Sequence, residues 1–192
     1  IDPRDIYVVS VMPCTAKKFE AQRPELASQY PDVDSVITTR ELARMIRIAG
    51  VHFNTLNDED FDDPMGESTG AASIFGVAGG VMEAAIRTAH YYLTGRDMDF
   101  IEFTPVRGLH GVKEAQVTIN GKTLKIAAIN GLKNMEKFLE AIAEKKSDYH
   151  FLEVMACPGG CINGGGQPLP WSPEKLRKRA DAIYEIDRST AK

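Results

Sequence analysis

Two cysteines separated by three residues, Cys157 and Cys161, are the side chains of this chain with the clearest potential for chemistry. They belong to a Cys-Pro-Gly-Gly-Cys segment, and residues 153–168 hold two of the three cysteines and five of the sixteen glycines. Glycine is favoured where the backbone needs an unusual φ angle or a close approach to another group. The segment is therefore predicted to be a loop against a bulky ligand. The alternative is a glycine-rich surface turn with two incidental thiols.

Two thiols at this spacing can hold a metal centre, form a disulfide or act as a redox pair. Zinc sites commonly use CxxC or HxxxH pairs, and the one histidine within ten residues is His150. A thioredoxin-like pair would open a helix, whereas Asn163 and three glycines follow here and make a poor helix. An iron–sulfur cluster fits better, because thiolates bind iron and glycine N–H groups can donate to the sulfides.

The third cysteine, Cys14, also follows an apolar run and a proline. Residues 6–11 are apolar and mostly β-branched, which predicts a buried strand that Pro13 ends. Residues 15–20 contain helix formers, so Cys14 is predicted near a helix N-terminus with Lys17 about one turn further on. That arrangement favours a thiolate. The alternative is a buried cysteine in a strand-to-helix turn beside solvated lysines.

Taken together, the two cysteine segments resemble the second and third signature motifs of the iron-only (di-iron) hydrogenases. The first reads Met12-Pro13-Cys14-x-x-Lys17-x-x-Glu20, and the second reads Glu153-x-Met155-Ala156-Cys157-Pro158-Gly159-Gly160-Cys161-x-x-Gly164-Gly165-Gly166-Gln167-Pro168. The middle of the chain resembles the family's glycine-rich turn and helix in Pro64-Met65-Gly66 and in residues 75–84. The resemblance thus spans nearly the whole chain.

The resemblance implies an active site called the H-cluster and the reversible reduction of two protons to H2. This cofactor is a 4Fe-4S cubane joined through one cysteine sulfur to a di-iron unit with carbon monoxide, cyanide and dithiolate ligands. By the resemblance, Cys14, Cys157 and Cys161 bind the cubane, and Cys161 also bridges to the di-iron unit.

Other side chains are expected around the same cofactor. By the resemblance, Lys17 donates a charge-assisted hydrogen bond to a cyanide ligand. Met12, Met155 and Phe75 are expected to line the di-iron pocket; without the resemblance both methionines would be interpreted as core residues. The expected cofactor-binding set also includes Pro158 and Gly159.

This sequence departs from the family in one respect. The first family motif, a Cys-Cys-Pro sequence with the fourth cubane cysteine and a proton-donating cysteine, is absent, as are ferredoxin-like cluster domains. Three cysteines cannot fill the four thiolate positions of a cubane. The chain also opens at Ile1 without an initiator methionine, and residues 180–187 resemble the start of the family's C-terminal region. We therefore expect residues 1–192 to be a C-terminal portion of the catalytic domain, truncated at both ends, inactive alone and without a complete cluster.

The expected partners are the rest of the hydrogenase chain, with the upstream cysteine motif and ferredoxin-like domains, and a ferredoxin or NAD(P)-linked redox subunit. The alternative function is a non-catalytic relative that binds only an iron–sulfur cluster, as in the family's cluster-assembly and nuclear-recognition-factor-like members. An electron-transfer module is disfavoured because the sequence has no second cysteine set.

Length and composition are compatible with this interpretation. A chain of 192 residues with 43% hydrophobic residues predicts one globular domain with a core. The net charge of −4 gives no support for nucleic-acid binding. No apolar stretch reaches the ~20 residues that span a bilayer, and no signal peptide is seen. Three cysteines in metal-like contexts indicate reduced thiols and a cytoplasmic location.

The remaining patterns alternate strands with helices. Strands are predicted at residues 35–38, 114–119, 123–129 and 150–155, with a hairpin at Asn120-Gly121. Helices are predicted at 40–49 with Thr39 as cap, 81–93, 132–145 and 172–186 with Ser172 as cap. Inward-facing helical side chains are expected to include Leu42, Met45, Ile46, Ala49, Ala84, Ile86, Tyr92, Met135, Phe138, Leu139 and Ile142.

The alternation predicts an α/β fold. We expect a mixed, mainly parallel sheet flanked by helices, with an antiparallel hairpin at one side. By the resemblance, this is one lobe of the iron-only hydrogenase catalytic domain. Both cysteine motifs should then follow the C-terminal ends of strands, where α/β sheets place their ligands.

Overall fold

The computed structural model describes residues 1–60, 62, 69–98 and 107–190. These residues form two compact units. The first unit contains Ile1–Gly66 and Gly164–Trp171, and the second contains Glu67–Asn163 and Ser172–Lys192. The motif Pro64-Met65-Gly66 lies outside the described residues. Both units combine strands with helices, so the predicted mixed α/β class is confirmed.

The first unit is built on two short parallel strands. Strand β1 (Val9–Met12) pairs with β2 (Ser35–Thr38), and Met12 lies opposite Thr38 at the C-terminal end of the pair. Strand β1 therefore begins later than the apolar run that predicted it. Helix α1 (Lys17–Glu20) follows β1, and α2 (Thr39–Ile48) follows β2 directly.

Helix α2 begins one residue earlier than predicted, and its cap is Thr38 rather than Thr39. Thr38 has extended backbone angles as the last residue of β2, and its hydroxyl accepts the N–H of Glu41 at 3.2 Å. The Glu41 carboxylate in return accepts the N–H of Thr38 at 2.7 Å, which completes a capping box. Hydrogen bonds to the Glu41 carboxylate, the strongest from the Lys18 ammonium and weaker ones from Thr38, lower the pKa of Glu41 to about 2.

The second unit contains a three-stranded sheet in the order β3-β4-β5. Strands β3 (Val112–Ile119) and β4 (Lys122–Asn130) form the predicted antiparallel hairpin. Asn120 and Gly121 have φ of 49° and 76°, as a tight hairpin turn requires. Strand β5 (Phe151–Met155) lies parallel to β4, with Met155 opposite Asn130.

Three longer helices accompany this sheet. They are α3 (Gly80–Thr94), α4 (Leu132–Ala143) and α5 (Pro173–Ser189). A 3-10 segment at Gly70–Gly76 precedes α3, and another at Cys161–Asn163 follows the cysteine turn. Ser172 caps α5 as predicted, because its hydroxyl accepts the N–H of Lys175 at 3.2 Å.

Apolar side chains cover both faces of β4. Successive residues of a strand point to opposite faces, so Ile126 and Ala128 pack with one cluster and Ala127 and Ile129 with another. The first cluster also holds Met82 and Ile86 of α3 and Val117 and Ile119 of β3. The second includes Phe138 of α4. A third cluster contains Ile74, Val77, Ile162, Leu176 and Ala180.

Several side chains predicted to face inward are exposed instead. Tyr92 is 81% exposed, and Leu139 and Ile142 of α4 are about half exposed. Met45 and Ala49 in the first unit are also exposed, and Leu42 and Ile46 are only half-buried. The helical period identifies the apolar face, but the extent of the surface packed against it decides how much of that face is buried.

Candidate thiolate metal site

The Cys-Pro-Gly-Gly-Cys segment forms a tight turn directly after β5. The carbonyl of Cys157 accepts the N–H of Gly160 at 3.0 Å, with Pro158 and Gly159 in the two central positions. Proline fixes φ at the first central position, and Gly159 supplies the positive φ, 81°, that a type II turn needs at the second. The local sequence therefore determines the shape of the turn.

Close packing against another stretch of backbone holds this turn. The N–H of Ala78 donates to the carbonyl of Gly159 at 3.1 Å. A Cβ atom on Gly160 would lie 2.6 Å from the Ala78 nitrogen and 2.9 Å from the Gly76 oxygen, so only glycine fits. Gly159 and Gly160 are accordingly buried, whereas Cys161 is exposed and Cys157 half-buried. The glycines of the turn are thus buried, while the two cysteines that flank them are at least partly exposed.

The turn that carries Cys14 lies in the first unit. Cys14 is half-buried and follows β1 after Pro13. Helix α1 has four residues, fewer than the predicted run of 15–20, so its dipole is small. The Lys17 ammonium bonds to Glu20 at 2.5 Å. Cys14 therefore lies before a single helical turn, shorter than the predicted helix, and Lys17 is paired with Glu20.

Met12 and Lys17 line one cavity of the first unit. The cavity has a volume of about 270 Å³ and is also bordered by Ser10, Glu20, Arg23, Asp32 and Val36. The Lys17–Glu20 ion pair is nearly half exposed, and exposed pairs of this kind contribute little free energy. Lys17 can therefore exchange this partner for a stronger anionic acceptor at small cost.

The glycines that follow Cys161 pack against the Cys14 turn. The N–H of Gly166 donates to the carbonyl of Pro13 at 3.0 Å, and the Arg40 N–H donates to the Gly166 carbonyl at 3.2 Å. A Cβ atom on Gly166 would lie 2.8 Å from the Cβ of Thr38. Two segments far apart in sequence, each carrying part of a cysteine motif, therefore meet within the first unit.

The structure places each remaining predicted site residue without testing its role. Cys14 lies in the first unit and Cys157 and Cys161 in the second, and the convergence of the three thiols stays a prediction. Met155 is half-buried as the last residue of β5. Phe75 lies in the 3-10 segment before α3 and is 47% exposed.

The donor set agrees in part with a cubane cluster. All three cysteines are thiols, and thiolates are the usual ligands of such clusters. They would supply at most three of its four thiolate positions, since the sequence contains no fourth cysteine. Among the residues that the structure describes, no group of three or more histidine, cysteine or carboxylate side chains is arranged to hold a metal ion.

The sequence reasoning missed a buried ionic network in the second unit. Glu83 and Asp187 are almost fully buried, and both bond to Arg87 and Arg107 at 2.5 to 3.0 Å. Burial raises the pKa of Asp187, but hydrogen bonds and charges of Arg87 and Arg107 outweigh it and leave the pKa below its ordinary value. The i,i+4 spacing of Glu83 and Arg87 was the one available sequence signal.

A second group of buried polar residues was also missed. Asn130, Lys113 and Glu153 are all nearly inaccessible to solvent and lie at the ends of strands or within them. Burial lowers the pKa of Lys113 to about 8, an effect that the charge of Glu153 opposes. A lysine or glutamate inside an apolar strand pattern was the signal that could have found them.

The fold and the two cysteine turns define an α/β protein with cysteine thiols after the C-terminal ends of parallel strands, a setting suited to an iron–sulfur centre. The family model described as "Iron only hydrogenase large subunit, C-terminal domain" matches residues 1–165. The chain belongs to this family.

Curated relatives include hydrogenases and assembly factors. The chain is 47% identical over 199 residues to iron hydrogenase 1 of Clostridium pasteurianum, covering 100% of this chain and 34% of that protein. It is 50% identical over 185 residues to the periplasmic Fe hydrogenase large subunit of Nitratidesulfovibrio vulgaris, covering 95% and 44%. Protein NAR1 of Arabidopsis thaliana is 35% identical over 201 residues, covering 95% and 42%.

Solved structures agree with the fold. A structure of HydA(deltaEFG), whose subject is stepwise FeFe-hydrogenase H-cluster assembly, superposes with a TM-score of 0.77 at 33% identity and covers 100% of this chain and 56% of that one. The chain thus spans about a third to somewhat over half of the length of these relatives. No described helix combines the length and apolar character needed to cross a membrane.

Proposed function

We propose that this chain forms part of the catalytic domain of an iron-only hydrogenase that catalyses 2H⁺ + 2e⁻ ⇌ H2, and that residues 1–192 do not turn over alone. The observation that carries the proposal is the cavity of the first unit that Met12 and Lys17 share, since these residues stand two positions before and three positions after Cys14 in the sequence. A protein that binds only a cubane has no need for such a thioether and ammonium pair around a second metal unit.

The cysteine geometry supports the assignment of cluster ligands. In the proposal Cys14, Cys157 and Cys161 would hold the 4Fe-4S cubane, and Cys161 would also be a ligand shared with the di-iron unit. Gly159 and Gly160 are buried while Cys161 is exposed and Cys157 is partly exposed, so both thiols keep some of the access that metal binding requires. The fourth thiolate comes from another part of the hydrogenase.

The H-cluster, when bound, would supply the redox chemistry that interconverts protons and H2. The residues of this chain bind and orient it. Lys17 exchanges Glu20 for a cyanide ligand, because an anionic acceptor away from water is a stronger partner than an exposed carboxylate. Met12, Met155 and Phe75 form apolar walls that limit the access of water.

Exposed apolar side chains support a large intramolecular or intersubunit partner. Tyr7 and Phe19 are each 70% exposed and Ile48 is 74% exposed, all in the first unit. Parallel strands are usually covered on both faces. We propose that the remainder of the hydrogenase, including the upstream cysteine motif, packs on this unit and that ferredoxin-like domains with a ferredoxin or NAD(P)-linked subunit deliver electrons in the cytoplasm.

The second candidate function is assembly of iron–sulfur clusters without hydrogen chemistry. The 32% identity over 197 residues to the cytosolic Fe-S cluster assembly factor narfl of Danio rerio favours it, because the match covers 98% of this chain and 47% of that protein. The higher identities, 47% and 50%, are to hydrogenases and favour catalysis. Both candidates use the three cysteines, so only the di-iron unit separates them.

Infrared spectroscopy of the matured parent protein separates the two functions. We expect carbonyl and cyanide bands in the wild type, and we expect them to be lost or strongly reduced in Lys17→Met. The matched control is Lys18→Met, because Lys18 is the next residue and bonds to Glu41 instead of lining the cavity. Iron–sulfur absorption without carbonyl or cyanide bands in the wild type would support the assembly function and contradict ours.

An iron and sulfide assay tests the ligand count in the isolated 192-residue chain. Three thiols leave one cubane position without a cysteine ligand, so we expect fewer than four irons per chain after anaerobic reconstitution. Cys157→Ser should reduce the iron content further. Stable binding of four irons per chain would contradict the incomplete site.

A further inference from the structure

Three buried polar side chains lie behind the Cys157–Gly160 turn and contact its backbone or the backbone that supports it. They are Asn130 at the end of β4, Lys113 in β3 and Glu153 in β5. The cysteine motifs assign no role to any of them. All three are less than a tenth exposed. Removing their polar groups from water costs free energy, which hydrogen-bond partners must offset.

Asn130 bonds directly to the turn. Its side-chain oxygen accepts the N–H of Gly159 at 2.7 Å, and its side-chain NH2 group donates to the carbonyl of His110 at 2.7 Å. One partner is a donor and the other an acceptor, which fixes the orientation of the amide. The side chain therefore ties the centre of the cysteine turn to the segment that enters β3.

The carbonyl of the same residue, Gly159, is held by Ala78. The Ala78 N–H donates to the Gly159 carbonyl at 3.1 Å, and the Ala78 carbonyl accepts a short hydrogen bond from the Lys113 ammonium. Lys113 also donates to the carbonyl of Gly108 at 3.0 Å. Both backbone groups of Gly159 are consequently bonded: the N–H by the Asn130 side chain, and the carbonyl by the N–H of Ala78, a residue whose own carbonyl is bonded by a buried ammonium.

Glu153 supports the Ala78 segment from a third direction. Its carboxylate accepts the N–H groups of Gly79 and Met82 at 2.6 and 2.7 Å, at the start of α3. A carboxylate at a helix N-terminus satisfies N–H groups that have no partner in the helix and is favoured by the helix dipole. Since Glu153 lies four residues before Cys157, the strand that leads into the turn also anchors the backbone on which the turn rests.

We propose that Asn130 is a positioning residue that holds the Cys157–Cys161 turn in its ligand-binding conformation before any metal binds. Lys113 supports the same turn indirectly, because it bonds to Ala78 and Ala78 bonds to the turn. This inference rests on the proposed function, because the turn has to bind metal for its preorganisation to matter. Buried groups that orient metal ligands commonly change metal affinity by about 10- to 100-fold when they are removed.

The test uses the whole 192-residue chain with the substitution Cys14→Ser, so that Cys157 and Cys161 are the two cysteines left to bind Cd²⁺. Asn130→Ala removes the acceptor for Gly159, and we expect Cd²⁺ affinity, followed by thiolate charge-transfer absorption, to fall about tenfold. Amide exchange of Gly159 in the metal-free chain should accelerate by a similar factor. The matched control is Asn134→Ala, because Asn134 donates to the Asn130 carbonyl and not to the turn.

Asn130→Asp separates the two bonds of Asn130. It keeps an acceptor for the Gly159 N–H and loses the donor to His110, so Gly159 exchange and Cd²⁺ affinity should lie closer to wild type than in Asn130→Ala. A loss of fold stability alone would affect Asn130→Asp at least as strongly, because the new charge is buried. If Asn130→Ala does not fold, Lys113→Met tests the Ala78 side and should also accelerate Gly159 exchange.

Unchanged Gly159 exchange and Cd²⁺ affinity in folded Asn130→Ala would overturn the inference. Equal effects in Asn134→Ala would do the same, because they would indicate a general loosening of the end of β4. These outcomes are independent of the hydrogenase proposal: a parent protein without carbonyl and cyanide bands contradicts that proposal whatever Gly159 does.

Discussion

The two units of this protein stabilise their cysteine turns by different means. The turn of Cys157 in the second unit rests on buried glycines, and the same unit contains three apolar clusters and a buried ionic network. Among the described residues of the first unit, which carries Cys14, no apolar side chain is buried. Its order comes from strand pairing, a capping box and the backbone contacts of Gly166.

The difference indicates that this chain by itself holds the Cys157 turn in place, whereas the Cys14 turn depends on further contacts. Apolar burial is the main source of folding free energy, and hydrogen bonds and caps add about 1 kcal/mol each. We therefore expect the second unit to unfold cooperatively and the first to be less stable. Four predictions test this contrast, in order of decreasing effect.

The largest effect is expected from the buried ionic network. Asp187→Ala removes one of the two buried carboxylates that bond to both Arg87 and Arg107, and loss of one member of such a network costs about 4 kcal/mol. Urea unfolding followed by circular dichroism measures the loss. Asp181→Ala, on an exposed position of the same helix, should change the free energy of unfolding by less than about 0.5 kcal/mol. Equal losses in the two variants would mean that the buried ionic network does not stabilise the second unit.

Gly160→Ala tests the close packing of the cysteine turn. The new methyl group would meet the Ala78 nitrogen and the Gly76 oxygen, and φ is 98°. Backbone strain and overpacking together should cost about 3 kcal/mol. Gly121→Ala is the control, since its φ of 76° is similar but nothing lies within 4 Å, so it should cost about 1 kcal/mol. A similar loss in both variants would show that packing at Gly160 is unimportant.

The lowered pKa of Lys113 predicts that the free energy of unfolding of the second unit depends on pH. The folded pKa is about 8 and the ordinary value is 10.5. Between these values the unfolded chain retains a proton that the folded chain has released, so the free energy of unfolding should rise with pH. Residual exposure reduces the expected gain to about 2 kcal/mol.

The measurement is a series of urea unfolding curves from pH 7.5 to 10.5 for wild type and Lys113→Met. We expect the rise in wild type and a flatter profile in the variant, because methionine cannot titrate. Parallel profiles would mean that Lys113 does not titrate in this range.

The smallest effect is expected in the first unit. Thr38→Ala removes the hydroxyl that caps α2 and should cost about 1 kcal/mol. Thr39→Ala should have little effect, because Thr39 is already helical and alanine is a better helix former. Amide exchange in α2 is the appropriate measurement, since the loss should leave the unfolding of the second unit unchanged. A shift of that main transition by Thr38→Ala would contradict the contrast between the units.

Much of the local structure could be predicted from the sequence. Alternating apolar residues around Asn120-Gly121 predicted the hairpin, and the Ser172-Pro173 pair predicted the start of α5. These features depend on neighbours in the chain, which is why pattern reasoning finds them. The cap of α2 was misplaced by one residue because Thr38 and Thr39 have the same side chain. Only the extended backbone of Thr38 distinguishes them.

Only the cysteines of the candidate site and Lys17 could be predicted from the sequence. The spacing of Cys157, Cys161 and Cys14 with Lys17 pointed to an iron–sulfur protein, and family membership agrees with that interpretation. The polar residues behind the turn were not predicted. Asn130 and Gly159 are 29 residues apart, and Arg87 and Asp187 are 100 apart. No local period encodes such pairs.

The sequence by itself determined the strands, the helices and the family to which the cysteine motifs belong, because propensity, turn chemistry and motif spacing are properties of short segments. The tertiary structure decided which charges are buried together, which glycines have no room for a side chain and which apolar faces are covered. Those properties arise when distant segments exclude water from a shared surface, and the free energy of that process belongs to the pair of segments and to neither alone.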